Sequence, residues 1–384
     1  MKKRFSPCLT FLATILLVLA PAIDKSISAA ESVPSRLSDQ DFWKLVSDSS
    51  ESGGEFHSEN LVSNESRFQT IIPELVKTAK PGRAYLGVGS EQNFSYIAAI
   101  HPSIAFIIDL RRGNLDLHLI YKALFEMSNN RADFVSRLFS RKRPDGLRDS
   151  STASEIFEAF GKAEAEQTLY DQNLKQIKDR LMTKHGFSLS KDDLDGIDFV
   201  YNAWFQSGPE IRYELTGMNM GSFSGSQMGG FRSMGGSRGL GGPDGGFPTY
   251  ADLMTATDSA GENLSYLATE SAFKTLKDLE SHNLIIPVVG NFAGPKALRA
   301  IGAWLKRYKA IVSAFYVSNV EQYLKDQGIW DNFCQNARTL PVDDTSTFVR
   351  SERGGFRNQR AVTGPGFGLE LVPIKPELRA CANP

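Results

Sequence analysis

The chain has 384 residues, of which 41% are hydrophobic and 23% charged, with a formal net charge of -1. That length permits two domains, or one α/β domain with a large insertion, and the apolar content supplies a sizeable core. The near-neutral balance excludes broad nucleic-acid affinity, which needs a basic surface, but not a local site for a small anionic ligand.

Lys2, Lys3 and Arg4 precede an apolar stretch over residues 9–22, and small residues follow in "SISAA". Basic, apolar and small-residue regions in that order predict a secretory signal cleaved after Ala30, and hence a periplasmic or extracellular protein. The apolar run is about 13 residues, short of the roughly 20 that cross a bilayer as a helix. An uncleaved anchor is the alternative; with cleavage, no membrane span is expected. Only Cys334 and Cys381 then remain. An oxidising compartment would let them pair, and two separate thiols stay equally open. The chain has five histidines but no HExxH, no CxxC and no grouping at metal spacing, so no metal site is nominated.

"SDQDFWKLVSDSSESGG" reads as a short helix capped by Ser38, and "SRFQTIIPELVKTAKPG" as an amphipathic one. "EFHSENLVSNES" between them turns the chain. Residues 83–88 form a strand apolar on both faces, as a covered parallel strand requires. "SEQNFSYIAAIH" is a helix, "SIAFIIDL" a second buried strand, and "NLDLHLIYKALFEMS" a helix with Leu115, Leu119, Ala123 and Leu124 along one stripe. Strand, helix, strand, helix predicts a right-handed parallel unit.

Over residues 129–282 helical patterns replace strands, which predicts a mainly helical insertion. Within it, residues 216–247 are dense in glycine and serine and have no apolar period, the composition of a disordered segment. The sheet resumes over residues 283–351 with "LIIPVV", the turn "GNFAG", a helix with Pro295 at its start, "AIVSAFYVS", a further helix and a last strand "TSTFVRS". The tail, residues 352–384, shows little regular pattern. The fold class is therefore α/β, Rossmann-like and doubly wound, with one mostly parallel sheet interrupted by the insertion.

The turn "GVGSEQN" puts Gly87 and Gly89 directly after the first strand, and Asp109 ends the second. Such glycines let the backbone turn tightly near a ligand, and such an acid accepts ribose hydroxyls. Alternatively the glycines only permit the turn, and Asp109 pairs with Arg111 or Arg112. Ligand sites of parallel sheets lie at strand carboxyl ends. One rim therefore gathers Glu91, Gln92, Asn93, Asn291, Ser318, Asn319 and Glu321, suited to a hydroxylated small molecule such as a sugar or nucleoside. For Ser318 and Asn319 helix capping is the other reading. Arg111 and Arg112 offer a hold on a carboxylate or phosphate, and His118 with Tyr121 a proton-donor pair; surface ion pairing and a structural histidine are the alternatives.

On the glycine turn and Asp109, residues 68–128 and 284–351 resemble class I S-adenosylmethionine-dependent methyltransferases. The resemblance implies a cofactor cradle at Gly87, Gly89 and Asp109. It departs at Glu91, which stands where a third glycine is usual and would crowd or repel the ligand. It departs again at Gly290-Asn291-Phe292, where an acidic or Asn-Pro-Pro-aromatic motif is usual in several branches. "YLGVGSEQNFSYIAAI", "IPVVGNFAGPKALRAIG" and "SAFYVSNVEQYL" resemble an uncharacterised bacterial family more closely. Two functions follow: a methyltransferase-like domain that binds a small ligand or partner without catalysis, or an active methyltransferase. No GxSxG or paired-carboxylate motif nominates a nucleophile for another enzyme class.

Overall fold

A computed structural model of the chain describes residues 32–56, 58–213, 247–353 and 367–381. The expected signal and nearly all of the glycine-rich segment lie outside the described residues.

Six strands make one sheet: β1 (Ala84–Gly87), β2 (Ile104–Asp109), β3 (Ile285–Val289), β4 (Val312–Ser318), β5 (Thr347–Arg353) and β6 (Phe367–Pro373). Their order is β3-β2-β1-β4-β5-β6, with the first five parallel. β6 runs antiparallel to β5, with Thr347 opposite Pro373. Every residue of β1, β2 and β3 is buried, because helices cover both faces. Pro287, which has no N–H for a ladder, falls on the edge strand β3. The segment after helix α1 (Asp39–Ser49) occupies that edge: Glu51 N donates to Val289 O at 2.8 Å, and Val289 N donates to Ser50 Oγ at 3.0 Å. An edge so occupied cannot recruit another strand there.

Helix α2 (Ile72–Thr78) leads into β1, α3 (Gln92–Ile100) joins β1 to β2, and α4 (Arg112–Met127) leaves β2. Among the described residues, six helices then precede β3: α5 (Arg131–Phe139), α6 (Ala153–Lys162), α7 (Gln167–Asp179), α8 (Lys191–Ser207), α9 (Tyr250–Thr255) and α10 (Glu270–Ser281). Thr152, Ser190 and Thr249 start α6, α8 and α9 with reciprocal capping boxes. Aromatic rings weld these helices to α4, with Phe125 and Phe134 stacked at 4.6 Å and Trp204 edge-on to Tyr250 at 4.9 Å. Arg131, 1% exposed, donates to the carbonyls of Leu267, Ala268, Asp149 and Ser151 and to the Glu270 carboxylate. One guanidinium thus fixes two loops. The Arg212–Thr249 bridge brings together the two ends of the segment that contains the glycine-rich run.

Helices α11 (Ala297–Arg307), α12 (Val320–Asp326) and α13 (Trp330–Ala337) complete the second half of the sheet. The tail differs from the sequence expectation. It supplies β6 and helix α14 (Ile374–Ala380), whose stability comes from pairing with β5 and from a Cys334–Cys381 disulfide. Among the described residues no helix is long and apolar enough to cross a membrane, and no group of three or more ligating side chains could hold a metal ion.

The disulfide closes a 47-residue separation. Reduction, or Cys334→Ser, should lower unfolding free energy by roughly 2–4 kcal/mol, read as a fall in the urea midpoint. An unchanged midpoint would show that the bridge constrains nothing.

Candidate functional site

The chain leaves β1 towards β2 on one side, and β4 leads to β5 on the other, so a crevice opens at their carboxyl ends. Four strand-end turns line a cleft of about 150 Å³: Val88–Gly89–Ser90, Asp109–Leu110–Arg111, Gly290–Asn291–Phe292 and Ser318–Asn319–Val320. Phe56, Asn60, Ser63 and Asn64 form one wall, and Tyr213, Tyr316 and Tyr323 add rings. Phe56 and Tyr323 meet edge to face at 5.3 Å.

Of the sequence-predicted residues, Gly89, Gln92, Asp109, Arg111, Asn291, Ser318 and Asn319 line this cleft. Gly89 has φ +81°, and a Cβ there would meet nothing within 4 Å, so its backbone faces open space. Asn319 occupies the N-cap position of α12 but makes no side-chain cap bond. The Asn291 Oδ1 accepts from Ala293 N at 2.8 Å, which fixes the turn after β3.

Gly87, Glu91 and Asn93 are not among the lining residues, and packing explains each. A Cβ on Gly87 would lie 1.8 Å from Asn93 Oδ1, so this glycine makes room for that amide rather than for a ligand. Asn93 donates to Val88 O at 2.9 Å and Ser90 O at 2.8 Å, and accepts from Tyr85 Oη at 2.8 Å. It is the clamp of the turn. Glu91 turns inward, fully buried, and accepts from Ser63 N at 3.1 Å. It therefore does not crowd a ligand. Burial raises its pKa to about 7.

Asp109 does not present a free carboxylate. Arg111 donates to it from Nε at 2.9 Å, Nη2 at 2.8 Å and the backbone N at 2.9 Å, with both residues 6% exposed. Arg112 pairs instead with Asp193, and Glu321 with Arg350. His118 sits beneath the glycine turn and donates from Nε2 to Gly89 O at 2.9 Å. Burial lowers its pKa to about 4, which keeps it neutral. Tyr121 is buried too, and neither residue lines the cleft. A proton-donor pair for a ligand is not what these two form.

Sequence reasoning missed the supporting network from the loop before α2. Glu65, buried, accepts from Gln92 Nε2 at 2.6 Å and from Ser318 Oγ at 2.8 Å. Ser63 Oγ also bonds Gln92. This loop reads as a plain turn in sequence; its only signal is a density of Ser, Glu and Asn between two helices. Asn60 (φ +48°) and Ser318 (φ +50°) adopt left-handed backbone. The four other non-glycine residues with positive φ, among the described residues, lie at or just past helix ends. A bulge between Tyr316 and Ser318 accompanies the strained serine. Backbone strain away from helix ends thus collects in the cleft, as it does at binding sites.

A model of a domain of unknown function, DUF7790, matches residues 60–193 and 243–367, more than half of the chain. The chain belongs to the DUF7790 family. No curated protein matches it. The matched segments of this DUF7790 protein contain all four strand-end turns, whereas Phe56 and Tyr213 fall outside them.

Among the described residues, burial raises five carboxyls of this DUF7790 protein: Glu65 and Glu321 upward, Glu91 to about 7, Glu280 to about 8, and Asp116 to about 8 with the charge of Asp193 adding to the shift. The folded state then holds protons that the unfolded chain releases. Their stabilising contribution is complete below about pH 4 and is lost as pH rises towards 8. Glu126 acts oppositely. Burial disfavours its charge, but His185 and Lys122 override that and hold its pKa near 2, so its contribution fades as pH falls from about 4 to 2. Melting temperature should peak at about pH 4 and decline towards pH 8. Glu91→Gln should recover roughly 3 kcal/mol at pH 8 while changing little at pH 5. Parallel melting curves for the two proteins across that range would refute this assignment.

Proposed function

We propose that this protein is a binding protein: a Rossmann-like core that takes a compact, hydroxylated ring ligand, a sugar or nucleoside, at the carboxyl ends of β1–β4. One observation carries the reading. The cleft lining combines amides and aromatic rings, while its one carboxylate and one guanidinium, among the described residues, are spent on each other. Amides bind hydroxyls through paired donors and acceptors, and rings stack on the faces of sugars or bases. General acid–base work would need a free titratable group in reach of the ligand. The strand order is that of doubly wound nucleotide-binding sheets, which supports the Rossmann-like description.

An S-adenosylmethionine cradle does not fit these residues. The acid meant for the ribose hydroxyls is held by three donors of Arg111, and Gly87 is filled from behind by Asn93. No methyl-transfer step is derived from them.

Calorimetry with monosaccharides, nucleosides and S-adenosylhomocysteine tests the reading. A sugar or nucleoside should bind, and Asn319→Ala should weaken it by about tenfold, a loss of one or two ligand hydrogen bonds. Tight S-adenosylhomocysteine binding abolished by Asp109→Ala would replace this reading with the methyltransferase one.

Export belongs to the same proposal. The basic and apolar N-terminus supports it, and so does the Cys334–Cys381 disulfide, since such bonds persist in oxidising compartments. Protein purified from its own host should begin near Glu31. An intact Met1 on that material would reject cleavage.

A further inference from the structure

We propose that the ligand carries an anionic group, a carboxylate or a phosphate, which seats against Arg111 beside the first turns of α3 and α4. This inference rests on the cleft being a ligand site. Arg111 lines the cleft and is 6% exposed, yet its Nη1 has no partner among the described residues. Its Nε and Nη2 are fixed by Asp109, so the guanidinium plane is held before any ligand arrives. A planar guanidinium with one nitrogen left over is matched by a carboxylate or phosphate oxygen.

The electrostatics favour the same sign. α3 has nine residues and α4 sixteen, and neither N-cap residue, Glu91 nor Arg111, makes a side-chain cap bond. Asn93 N and Phe94 N at the start of α3 donate to Ser90 O and Glu91 O, and Asn114 N of α4 donates to Arg111 O, so it is the aligned peptide dipoles that give each start a partial positive charge. The residues preceding both helices, Gly89 and Ser90 for α3 and Asp109 to Arg111 for α4, line the cleft. Glu91, the one acid at the start of α3, is turned inward onto Ser63 N. Asp109 is the only carboxylate among the described lining residues, and Arg111 already neutralises it. An arriving anion therefore meets two helix starts and the Arg111 guanidinium, whose Nη1 is buried in the cleft wall and still without a partner, with no unpaired acid facing it.

The test is calorimetry on the mature chain with matched pairs, adenosine against adenosine monophosphate and galactose against galacturonate, plus inorganic phosphate alone. The acidic member of at least one pair should bind about tenfold tighter than its neutral partner, and that preference should shrink as salt is raised. The Asp109→Asn/Arg111→Gln double variant leaves no buried charge unpaired, and its melting curve verifies folding. It should erase the preference for the acidic member, read as the ratio of the two affinities within each matched pair. The phosphate and carboxylate pairs distinguish the two anion chemistries. Equal binding of acidic and neutral members would overturn the anionic subsite and leave the cleft reading standing. A preference that survives in the folded double variant would overturn the role of Arg111. A flat titration with every probe would overturn the cleft reading, and this inference with it.

Discussion

β1 lies between β2 and β4, and the chain departs from these strands in opposite directions. The connection through α3 lies towards β2, while β4 feeds α12, α13 and β5, so neither covers the gap above β1. A sheet built this way has a crevice whether or not anything uses it. What distinguishes this protein is how the gap is walled. The loop carrying Phe56, Asn60 and Ser63 comes from before the sheet begins, and Tyr213 comes from beyond α8. Both shape the opening.

The turn after β1 shows how tightly that opening is held. Asn93 clamps it from below through two carbonyls, and His118 holds a third, that of Gly89. Gly87 exists in this arrangement because any side chain would collide with the Asn93 amide. On the opposite side, Glu65 fixes Gln92 and Ser318 together, which ties the start of α3 to the end of β4 across the crevice. Buried polar groups are costly unless satisfied, and satisfied networks specify geometry. The left-handed backbone of Ser318 persists because this network and the neighbouring bulge determine it from both sides. The rim is therefore rigid where strand ends meet.

Periodicity made most of the sheet legible in the sequence. The strands "IAFIID" and "IIPVV" are apolar up to the closing Asp109 of the first, and a run buried on both faces has few other uses. Gly89, Gln92, Asp109, Arg111, Asn291, Ser318 and Asn319 could be placed because topology alone puts strand ends on one rim. Side-chain direction was not legible. Glu91 and Asn93 begin α3, and which way a residue points there depends on where the first helical turn starts, a matter of one residue. The state of Asp109 was open for a related reason: Arg111 and Arg112 both stood near it, and only the geometry after β2 selects Arg111 while α8 draws Arg112 to Asp193. β6 and α14 were missed because their partners, β5 and Cys334, are distant in sequence. A short strand with a terminal proline has no local pattern strong enough to announce itself.

The disulfide-tied edge and the crevice are built differently. β5, β6, α13 and α14 are joined by an antiparallel ladder and a disulfide, and neither depends on the ionisation of a buried acid. The crevice end holds Glu65, Glu91 and His118 in burial, along with the strained Asn60 and Ser318. These features lower local stability, and they are tolerable because the disulfide-tied edge supplies constraint. The neutral Asp109–Arg111 pair fits that division. It avoids an unpaired charge in a buried rim when no ligand is present, while keeping one guanidinium nitrogen uncommitted. Under the binding proposal, recognition needs fixed donors, and the guanidinium that Asp109 holds in place is one.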